Sequence, residues 1–385
     1  MELILTLDVG TTSVKACLFD RQLRQTALTS REYALQTRGV CAEVEAQVYL
    51  DAAAQCILSL PAEARARVCA VALTTQGETL LCVDRQGKAL RPAIVWLDSR
   101  AEAQAARLAA ALDRQRFYER TGLPELSGAL PLAKLLWLRE QEPESWARTD
   151  KFLLLEDYLM LWLTGRAVTE KSLLTSTGYF DLQSDDYWDE ALALAELNAE
   201  LRHFLPQALA CGSIVGPVLP EVAEALGLPA SACVVTGAMD QTAAALAAGC
   251  TRPGTLCETT GTAMVAAAFT AHPQFSEDHH VTIYRHAMPG AYLYLPISNT
   301  IGMSLRWFRD EFCRDLDGGY AALDRLAEQV PPGAQGVTCR IWPGASIPTI
   351  CRRPPAAFTG CGCPAQEPPA PVRFWRQRPS SCAIF

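Results

Sequence analysis

The chain has 385 residues, of which 50% are hydrophobic and 20% are charged, so it is long and apolar enough to form two domains with buried cores. Its formal net charge of -8 argues against nucleic acid as the main partner, because a phosphate backbone is bound by a basic surface. These values favour a small-molecule ligand.

The chain start and the cysteines predict a cytoplasmic protein. Residues 1–8 contain no basic leader and reach Asp8 before a signal-peptide core could form. The sequence also lacks an uncharged span of about 20 residues, which a bilayer would require. The cysteines of the first 313 residues occur singly, which is typical of free thiols in a reducing compartment.

The first elements predict an α/β domain. Residues 3–7 and 14–19 flank Asp8-Val9-Gly10-Thr11-Thr12-Ser13, which predicts a strand, a glycine-containing turn and a second strand. Residues 68–73 predict a buried strand, and residues 79–90 predict a hairpin. Helices are then expected at residues 99–112, 131–140, 153–163 (closed by Gly165) and 220–226.

The pattern changes near residue 232. Residues 233–236 predict a strand, residues 237–240 a turn and residues 241–248 a helix of small residues. A second strand and turn at residues 255–262 resembles the first in chemistry, and helices follow at 304–312 and 320–329. We therefore predict a first domain over residues 1–243 and a second over residues 244–338.

Residues 339–385 differ in composition from the rest of the chain. They contain nine Pro, five Cys and six Arg, against one acidic residue, Glu367, and no Lys. They show no helix or strand periodicity over a useful length. One interpretation is a disordered tail. The other is a lost reading frame near Cys339 or Cys351, which would leave the second domain incomplete.

Four groups of residues suit phosphoryl transfer to an alcohol, which needs groups that hold phosphates, a carboxylate near Mg²⁺ and a base. The first is the turn at the end of the first strand, where Asp8 and Gly10 precede three hydroxyls, Thr11, Thr12 and Ser13. The alternative is an ordinary β-turn. Glu258-Thr259-Thr260-Gly261-Thr262 repeats this chemistry in the second half.

The other two groups suit a polyhydroxylated acceptor. Asp240 and Gln241 stand at a junction of strand and helix, where a carboxylate could accept a hydroxyl proton; a helix N-cap is the alternative. Gln76, Gly77 and Glu78 follow a buried strand and offer amide and carboxylate groups, although they also suit a plain polar turn. Trp96 could line a sugar pocket with its aromatic face, or it could simply pack in a core. His279, His280 and His286 have no metal-site spacing.

The order of these segments resembles the FGGY family of carbohydrate kinases. The resemblance is carried by seven segments in order, LDVGTTSVKACLFD, TTQGETLLCVDRQG, AIVWLDSRA, LLLEDYLMLWLTG, TGAMDQTAAALAAG, CETTGTAMV and SLRWFRDEF. It implies an α/β, two-domain actin/hexokinase-like (ribonuclease H-like) ATPase fold, here with an incomplete second domain. It also implies ATP and Mg²⁺ as cofactors and direct transfer of the γ-phosphoryl group to a sugar hydroxyl.

The resemblance assigns roles to individual residues. It implies that Asp240 is the catalytic base and that Gln76, Gly77, Glu78 and Gln241 contact the acceptor. It places Asp8 beside the metal ion. The implied nucleotide-binding residues are Asp8, Gly10, Thr11, Thr12, Ser13, Lys15, Gly261, Thr262, Gly302 and Arg306.

Two departures from the family bear on function. Gly77 stands where glycerol kinases have an arginine, so a xylulose-like acceptor is favoured over glycerol. The stretch that holds adenine in the family is not recognised after residue 338. The first hypothesis is therefore an active sugar kinase. A homodimer is compatible with this hypothesis. The second is a non-catalytic remnant that binds sugar only, and the third is an actin-like ATPase without a sugar site.

Overall fold

The structure is a computed structural model, which describes residues 2–194, 199–260, 264–278, 280–298, 301–314, 316–334, 338–341 and 356–359. Over these residues, every helix is too short or too polar to cross a bilayer. The ten cysteines of residues 17–313 are all free thiols, as predicted.

The described residues form strands and helices in alternation. The strands are β1 Leu3–Val9, β2 Ser13–Phe19, β3 Gln25–Glu32, β4 Gln36–Arg38, β5 Cys41–Val44, β6 Val68–Thr75, β7 Leu80–Val83, β8 Ala93–Ile94, β9 Lys151–Leu154, β10 Val168–Glu170, β11 Phe180–Asp181, β12 Asp186–Tyr187, β13 Gln207–Leu209, β14 Ile214–Pro217, β15 Cys233–Met239, β16 Leu256–Thr260, β17 Met264–Thr270, β18 Ile283–Arg285, β19 Tyr292–Tyr294, β20 Ile297–Ser298, β21 Thr338–Ile341 and β22 Ala356–Thr359. The helices are α1 Ala46–Leu58, α2 Ala62–Arg65, α3 Glu102–Ala111, α4 Arg114–Thr121, α5 Pro131–Gln141, α6 Pro143–Arg148, α7 Leu155–Thr164, α8 Lys171–Leu174, α9 Asp189–Leu194, α10 Pro220–Leu226, α11 Asp240–Ala247, α12 Ile301–Phe312 and α13 Gly319–Ala327, with a short 3-10 helix at Ala199–Phe204.

A six-stranded sheet in the order β14-β15-β6-β1-β2-β3 organises the first part of the chain. Strands β1, β6 and β15 run parallel to one another, whereas β2, β3 and β14 are antiparallel to their neighbours. In β1 the residues Leu3, Leu5, Leu7 and Val9 are buried and alternate with half-buried ones, as expected for a strand with one face on the core. Helices α1, α7 and α10 contribute to this core.

The last residues of the three parallel strands are in register. Val9 of β1 pairs with Thr75 of β6, and Thr75 pairs with Met239 of β15. The segments that follow these strands therefore leave the sheet at the same edge, which is where ligands bind in open α/β sheets.

A second sheet, in the order β4-β5-β8-β7-β9, supports the segment between β8 and α3. Asp98 in that segment is fully buried, and its carboxylate accepts hydrogen bonds from the amides of Ala42 (2.6 Å) and Arg100 (3.0 Å). These bonds hold residues 98–101 outside the helix. Helix α3 therefore begins at Glu102, three residues later than the sequence predicts.

Most of the predicted elements form, and three further regions differ from the prediction. The predicted second arm of the hairpin at residues 79–90 is only an isolated bridge between Val83 and Ala89, because β7 pairs with β8 and β9 instead. The predicted turn at residues 237–240 is wrong, since β15 continues through Gly237 to Met239 and α11 begins at Asp240. Residues 339–385 contain paired strands, β21 with β22, despite the absence of sequence periodicity.

Contacts between residues divide the chain into two compact units. The larger contains residues 1–257 and 267–296, and the smaller contains residues 258–266 and 297–385. In the larger unit β17 pairs with β19 and β19 with β18; in the smaller, Met264 and Val265 pair with β20. The domain boundaries at residues 243 and 338 stay predictions.

Candidate active site

Three polar segments of the larger unit meet at the edge of the central sheet. They are the turn after β1, the turn after β6 and the start of α11, which follow the three parallel strands directly. The last two contain Gln76 to Glu78 and Asp240, and Asp8 lies at the end of β1, next to the first turn. The parallel topology, rather than sequence proximity, brings these residues to one place.

The first turn is a tight connection between β1 and β2. The Gly10 amide donates to the Ser13 carbonyl at 3.0 Å, and the register places Asp8 opposite Lys15. Lys15 Nζ lies 3.3 Å from Asp8 Oδ2, and both side chains are about half exposed. Lys15 is thus ion-paired with Asp8, which the sequence did not predict. Thr12 belongs to the same connection, and Ser13 begins β2.

Trp96 closes one side of this turn. Its indole Nε1 donates a hydrogen bond to Thr11 Oγ1 at 2.9 Å, and 38% of its surface is exposed. Of the two interpretations of Trp96, a core filler is therefore excluded. A partly exposed aromatic face beside polar groups is a surface on which the apolar side of a sugar ring can stack.

The turn after β6 carries the second set of predicted residues. Gln76 is buried, and among the described residues its Oε1 has no hydrogen-bond partner, although its Nε2 lies 3.5 Å from the Tyr49 hydroxyl. Glu78 has a φ of 55°, a left-handed conformation that costs energy in a non-glycine residue. Strained backbone and an unpartnered buried polar atom concentrate at ligand sites.

The pKa of the Glu78 carboxyl depends on its burial and on two neighbouring charges. Burial is the largest effect and raises this pKa, the Lys134 ammonium lowers it, and the Asp240 charge raises it. The net result is a pKa of about 7. The Tyr284 hydroxyl donates to Glu78 Oε1 at 3.4 Å. Burial and the neighbouring Glu78 charge in turn raise the pKa of Tyr284 well above its ordinary value, so this phenol stays a hydrogen-bond donor.

Asp240 begins α11 and is held at the strand end. Its Oδ1 accepts from the amide of the next residue, Gln241, at 2.6 Å, but the N-cap of α11 is Met239, so Asp240 does not cap the helix as the alternative interpretation expected. Burial nevertheless raises its pKa to about 6, because the Gln241 hydrogen bond offsets only part of the desolvation and the Asp8 charge adds to it. A carboxylate with a pKa near neutrality is suited to general-base chemistry.

Buried carboxyl groups fix the backbone just before Asp240. The Met239 amide donates to Glu170 Oε1 at 3.2 Å and to Ser172 Oγ at 3.1 Å, and the Gly237 amide donates to Glu156 Oε1 at 2.9 Å. Burial raises the pKa of Glu156 and of Glu170. These bonds define where β15 ends and hence where Asp240 stands.

Gly237 itself is required by the approach of two strands. A Cβ atom at this position would lie 1.3 Å from the carbonyl oxygen of Leu73 in β6, a distance that no side chain tolerates. The pairing of β6 with β15 shifts register here, between Val235 and Ala238. The glycine therefore serves a close strand contact and not the turn that the sequence suggested.

The remaining predicted residues lie in the second half of the chain. Gly261 and Thr262 lie outside the described residues. Gly302 falls in α12. Arg306, in the same helix, has a side chain that is 70% exposed and lies 3.8 Å from Asp310. Their predicted contacts with a nucleotide stay predictions.

Sequence reasoning missed three residues around Glu78. Lys134 is the one charged residue among the buried positions of α5, and a lone charge in an apolar helix is a signal that could have revealed it. Ser176 and Tyr284 carry no such signal, because hydroxyl residues are common in loops and strands. The described histidines hold no metal cluster: His280 stacks on Tyr118, and His286 is buried with Nε2 2.8 Å from the Cys250 carbonyl.

Comparison with known proteins finds carbohydrate kinases among the relatives of this chain. Residues 3–247 match the family model described as the FGGY family of carbohydrate kinases, N-terminal domain. A xylulose kinase of Lactococcus lactis subsp. lactis is 30% identical over 342 residues, covering 88% of this chain and 66% of that protein. A gluconokinase of Bacillus subtilis is 26% identical over 352 residues, covering 87% and 66%. The chain thus spans slightly under two thirds of the length of these relatives.

Solved structures resemble the fold closely. A crystal structure of a xylulose kinase from Rhodospirillum rubrum has a TM-score of 0.84 at 28% identity, over 97% of this chain and 75% of that one. The described sheets and helices and this likeness confirm the predicted actin/hexokinase-like fold class.

Proposed function

Because the chain belongs to the FGGY family of carbohydrate kinases, we propose that it binds a sugar beside Glu78 and Asp240 and phosphorylates one of its hydroxyls from ATP. The observation that carries this proposal is the meeting of Asp8, Glu78 and Asp240 at the carboxyl edge of three parallel strands in register. Membership of the family supports the reaction type, and the geometry supports the assignment of residues.

In the proposed reaction Asp240 is the general base. Its carboxylate accepts the proton of the sugar hydroxyl as that oxygen forms a bond to the γ-phosphorus of ATP. The bond between the γ-phosphorus and its bridging oxygen breaks, and ADP leaves with the bonding electrons. Gln241 orients Asp240 through its backbone amide.

The hydroxyls and amides of the first turn are proposed to hold the phosphates. Thr11, Thr12 and Ser13 provide hydroxyl groups, and Gly10 lets the backbone approach an anion. Lys15 is proposed to exchange its ion pair with Asp8 for a phosphate oxygen. Gly261, Thr262, Gly302 and Arg306 are proposed to contact the nucleotide from the second half.

The donor set of this turn fits a magnesium ion. Mg²⁺ usually takes one or two protein carboxylates and completes its coordination with water and substrate phosphates. Asp8 is a half-exposed carboxylate, and the described residues contain no cluster of three or more metal-ligating side chains. Asp8 would hold the ion, which when bound neutralises charge on the transferred phosphoryl group.

A ketose such as xylulose is the proposed acceptor. The polar groups at the site, Gln76 Oε1, Glu78 and the Tyr284 hydroxyl, suit a ligand with several hydroxyls. A Cβ at Gly77 would lie 3.0 Å from Ser176 Oγ and 3.3 Å from Met239 Sδ, so an arginine would not fit without movement. The relatives include both a xylulose kinase and a gluconokinase, so a sugar acid is the nearest competitor.

The Gly77→Ala variant tests whether Gly77 forms part of the wall of the proposed sugar pocket. We expect sugar affinity to fall roughly fivefold, about 1 kcal/mol, because the new methyl group displaces Ser176 or the Met239 side chain beside Asp240. Calorimetric titration with xylulose measures this loss. The double variant Gly77→Ala, Ser176→Ala removes the closest clash and should recover part of the affinity, whereas equal affinities in all three proteins would contradict the proposed wall.

The rate should depend on pH through Asp240. A base must be deprotonated, and the pKa of Asp240 is raised from 3.8 to about 6, so we expect the turnover number to fall below a pH of about 6. An ordinary aspartate would keep most of its activity down to a pH of about 5. A pH profile of the turnover number at saturating sugar measures the midpoint, and a flat profile down to that lower pH would exclude Asp240 as the base.

The proposed function is tested by ATP-dependent phosphorylation of a panel that contains xylulose, gluconate and glycerol. We expect turnover with the ketose or the sugar acid and little with glycerol. Turnover with none of them, together with measurable sugar binding, would favour the sugar-binding remnant instead. ATP hydrolysis that no sugar stimulates would favour the actin-like ATPase.

A further inference from the structure

Helix α5 carries a lysine in a place where charges are rare. Seven of its residues are buried, and Lys134 is the charged one among four leucines, an alanine and a proline. Its side chain is fully buried. Because burying an ammonium without partners is unfavourable, its contacts should reveal a function.

The Lys134 ammonium connects two segments of the candidate site. Nζ donates to the carbonyl oxygen of Glu78 at 2.8 Å and to that of Val95 at 3.0 Å. Glu78 is the residue with the left-handed backbone. Val95 immediately precedes Trp96, whose indole binds Thr11.

The charge of Lys134 also acts on the Glu78 carboxylate. Glu78 is faced by Lys134 from α5, by Asp240 from α11, by Tyr284 from β18 and by Ser176 from the segment after α8. Among these four neighbours of the Glu78 carboxyl, Lys134 is the one with a cationic side chain. Removing it would leave the half-buried Glu78 carboxylate beside the Asp240 charge, with two hydroxyl donors.

The other charges near Lys134 largely offset each other. Asp98 and Arg100 both act on Lys134, with opposite signs, and they form an ion pair with each other at 2.7 Å. The remaining charge interaction of Lys134 is therefore with Glu78. Burial lowers the pKa of Lys134, and the Glu78 charge opposes that effect.

We propose that Lys134 is a positioning residue of the acceptor site, which joins the Glu78 turn to the Trp96 segment and favours the ionised form of the Glu78 carboxyl. An ionised Glu78 accepts hydrogen bonds from sugar hydroxyls with both oxygens, whereas the protonated form loses part of that capacity. The effect of Lys134 on sugar affinity rests on the proposed function. Its effect on Glu78 does not.

The test compares Glu78 in the wild type and in Lys134→Met, which keeps an unbranched chain in the apolar slot. The Glu78 carboxyl is followed by ¹³C NMR against pH, with Glu78→Gln to assign its signal. We expect its titration midpoint to rise by about one pH unit or more, because an opposite charge nearby typically lowers a carboxyl pKa by about 1–3 units. An unchanged or lower midpoint would overturn the proposal. Lys134→Gln, which keeps N–H donors without the charge, serves if the methionine variant does not fold.

Sugar affinity is the second measurement. At a pH near 7 we expect xylulose to bind about tenfold more weakly to Lys134→Met, since a larger share of Glu78 is then protonated. The weakening should shrink as the pH is raised, which a purely structural role would not produce. Lys88→Met makes the same chemical change at an exposed turn and should bind as the wild type does. An unchanged affinity in Lys134→Met would contradict the role in binding, and absence of binding in the wild type would contradict the proposed function instead.

Discussion

Replacement of Asp240 by asparagine should lower the turnover number by about 10²- to 10⁴-fold, the range that a general base contributes. The asparagine keeps the size of the side chain and an oxygen acceptor for the Gln241 amide, so α11 should still begin at this residue. It cannot accept a proton at neutral pH. A coupled assay of ADP release at saturating sugar measures the loss.

The control for this variant is Glu221→Gln. Glu221 is an exposed carboxylate in the first turn of α10. Its replacement by glutamine therefore makes the same change from carboxylate to amide at a helix start away from the candidate site. We expect its activity to match the wild type. Sugar affinity in Asp240→Asn should change far less than turnover. A variant that keeps most of its turnover would remove Asp240 from the reaction.

Replacement of Gly237 by alanine should destabilise the larger unit by about 3 kcal/mol or more, the upper range for overpacking a core. The added methyl group would need the space that the Leu73 carbonyl occupies, and backbone cannot move aside as a flexible side chain can. Strand β15 would separate from β6 near Thr74 and Ala238. Chemical denaturation followed by circular dichroism measures the free energy of unfolding.

Gly10→Ala is the matched control. A Cβ at Gly10 would meet only the Ser13 carbonyl, at 3.7 Å, which is an ordinary contact. Its free energy of unfolding should stay within about 0.5 kcal/mol of the wild type. If Gly237→Ala were equally neutral, the close approach of β6 and β15 in the structure would be wrong.

The sequence was sufficient for the parts of the fold that depend on local pattern. The alternation of buried and half-buried residues in β1, the glycine that ends α7 and the proline that begins α10 each act within a few residues of the chain. Such signals predict elements well. They failed at Gly237, because glycine is common both in turns and in close strand contacts, and only the position of Leu73 distinguishes the two.

The candidate site could be predicted only in part for the same reason. Asp8 stands at the end of a recognisable strand, and Glu78 and Asp240 follow two others, so their proximity follows once the strands are parallel and adjacent. Lys134 and Tyr284 reach Glu78 through tertiary packing, which no local pattern encodes. The pKa values of Glu78 and Asp240 are likewise products of burial and of neighbours from distant segments.

The register of β1, β6 and β15 determines when this site can exist during folding. Thr74 and Ala238, which hydrogen-bond where β6 meets β15, are separated by 164 residues of sequence. Contacts of such long range form late and slowly, because a large loop must close before they contribute. During synthesis, the segment with Glu78 is complete long before Asp240 emerges. Sugar binding should therefore be absent from nascent chains that end before β15 and should report the docking of that strand.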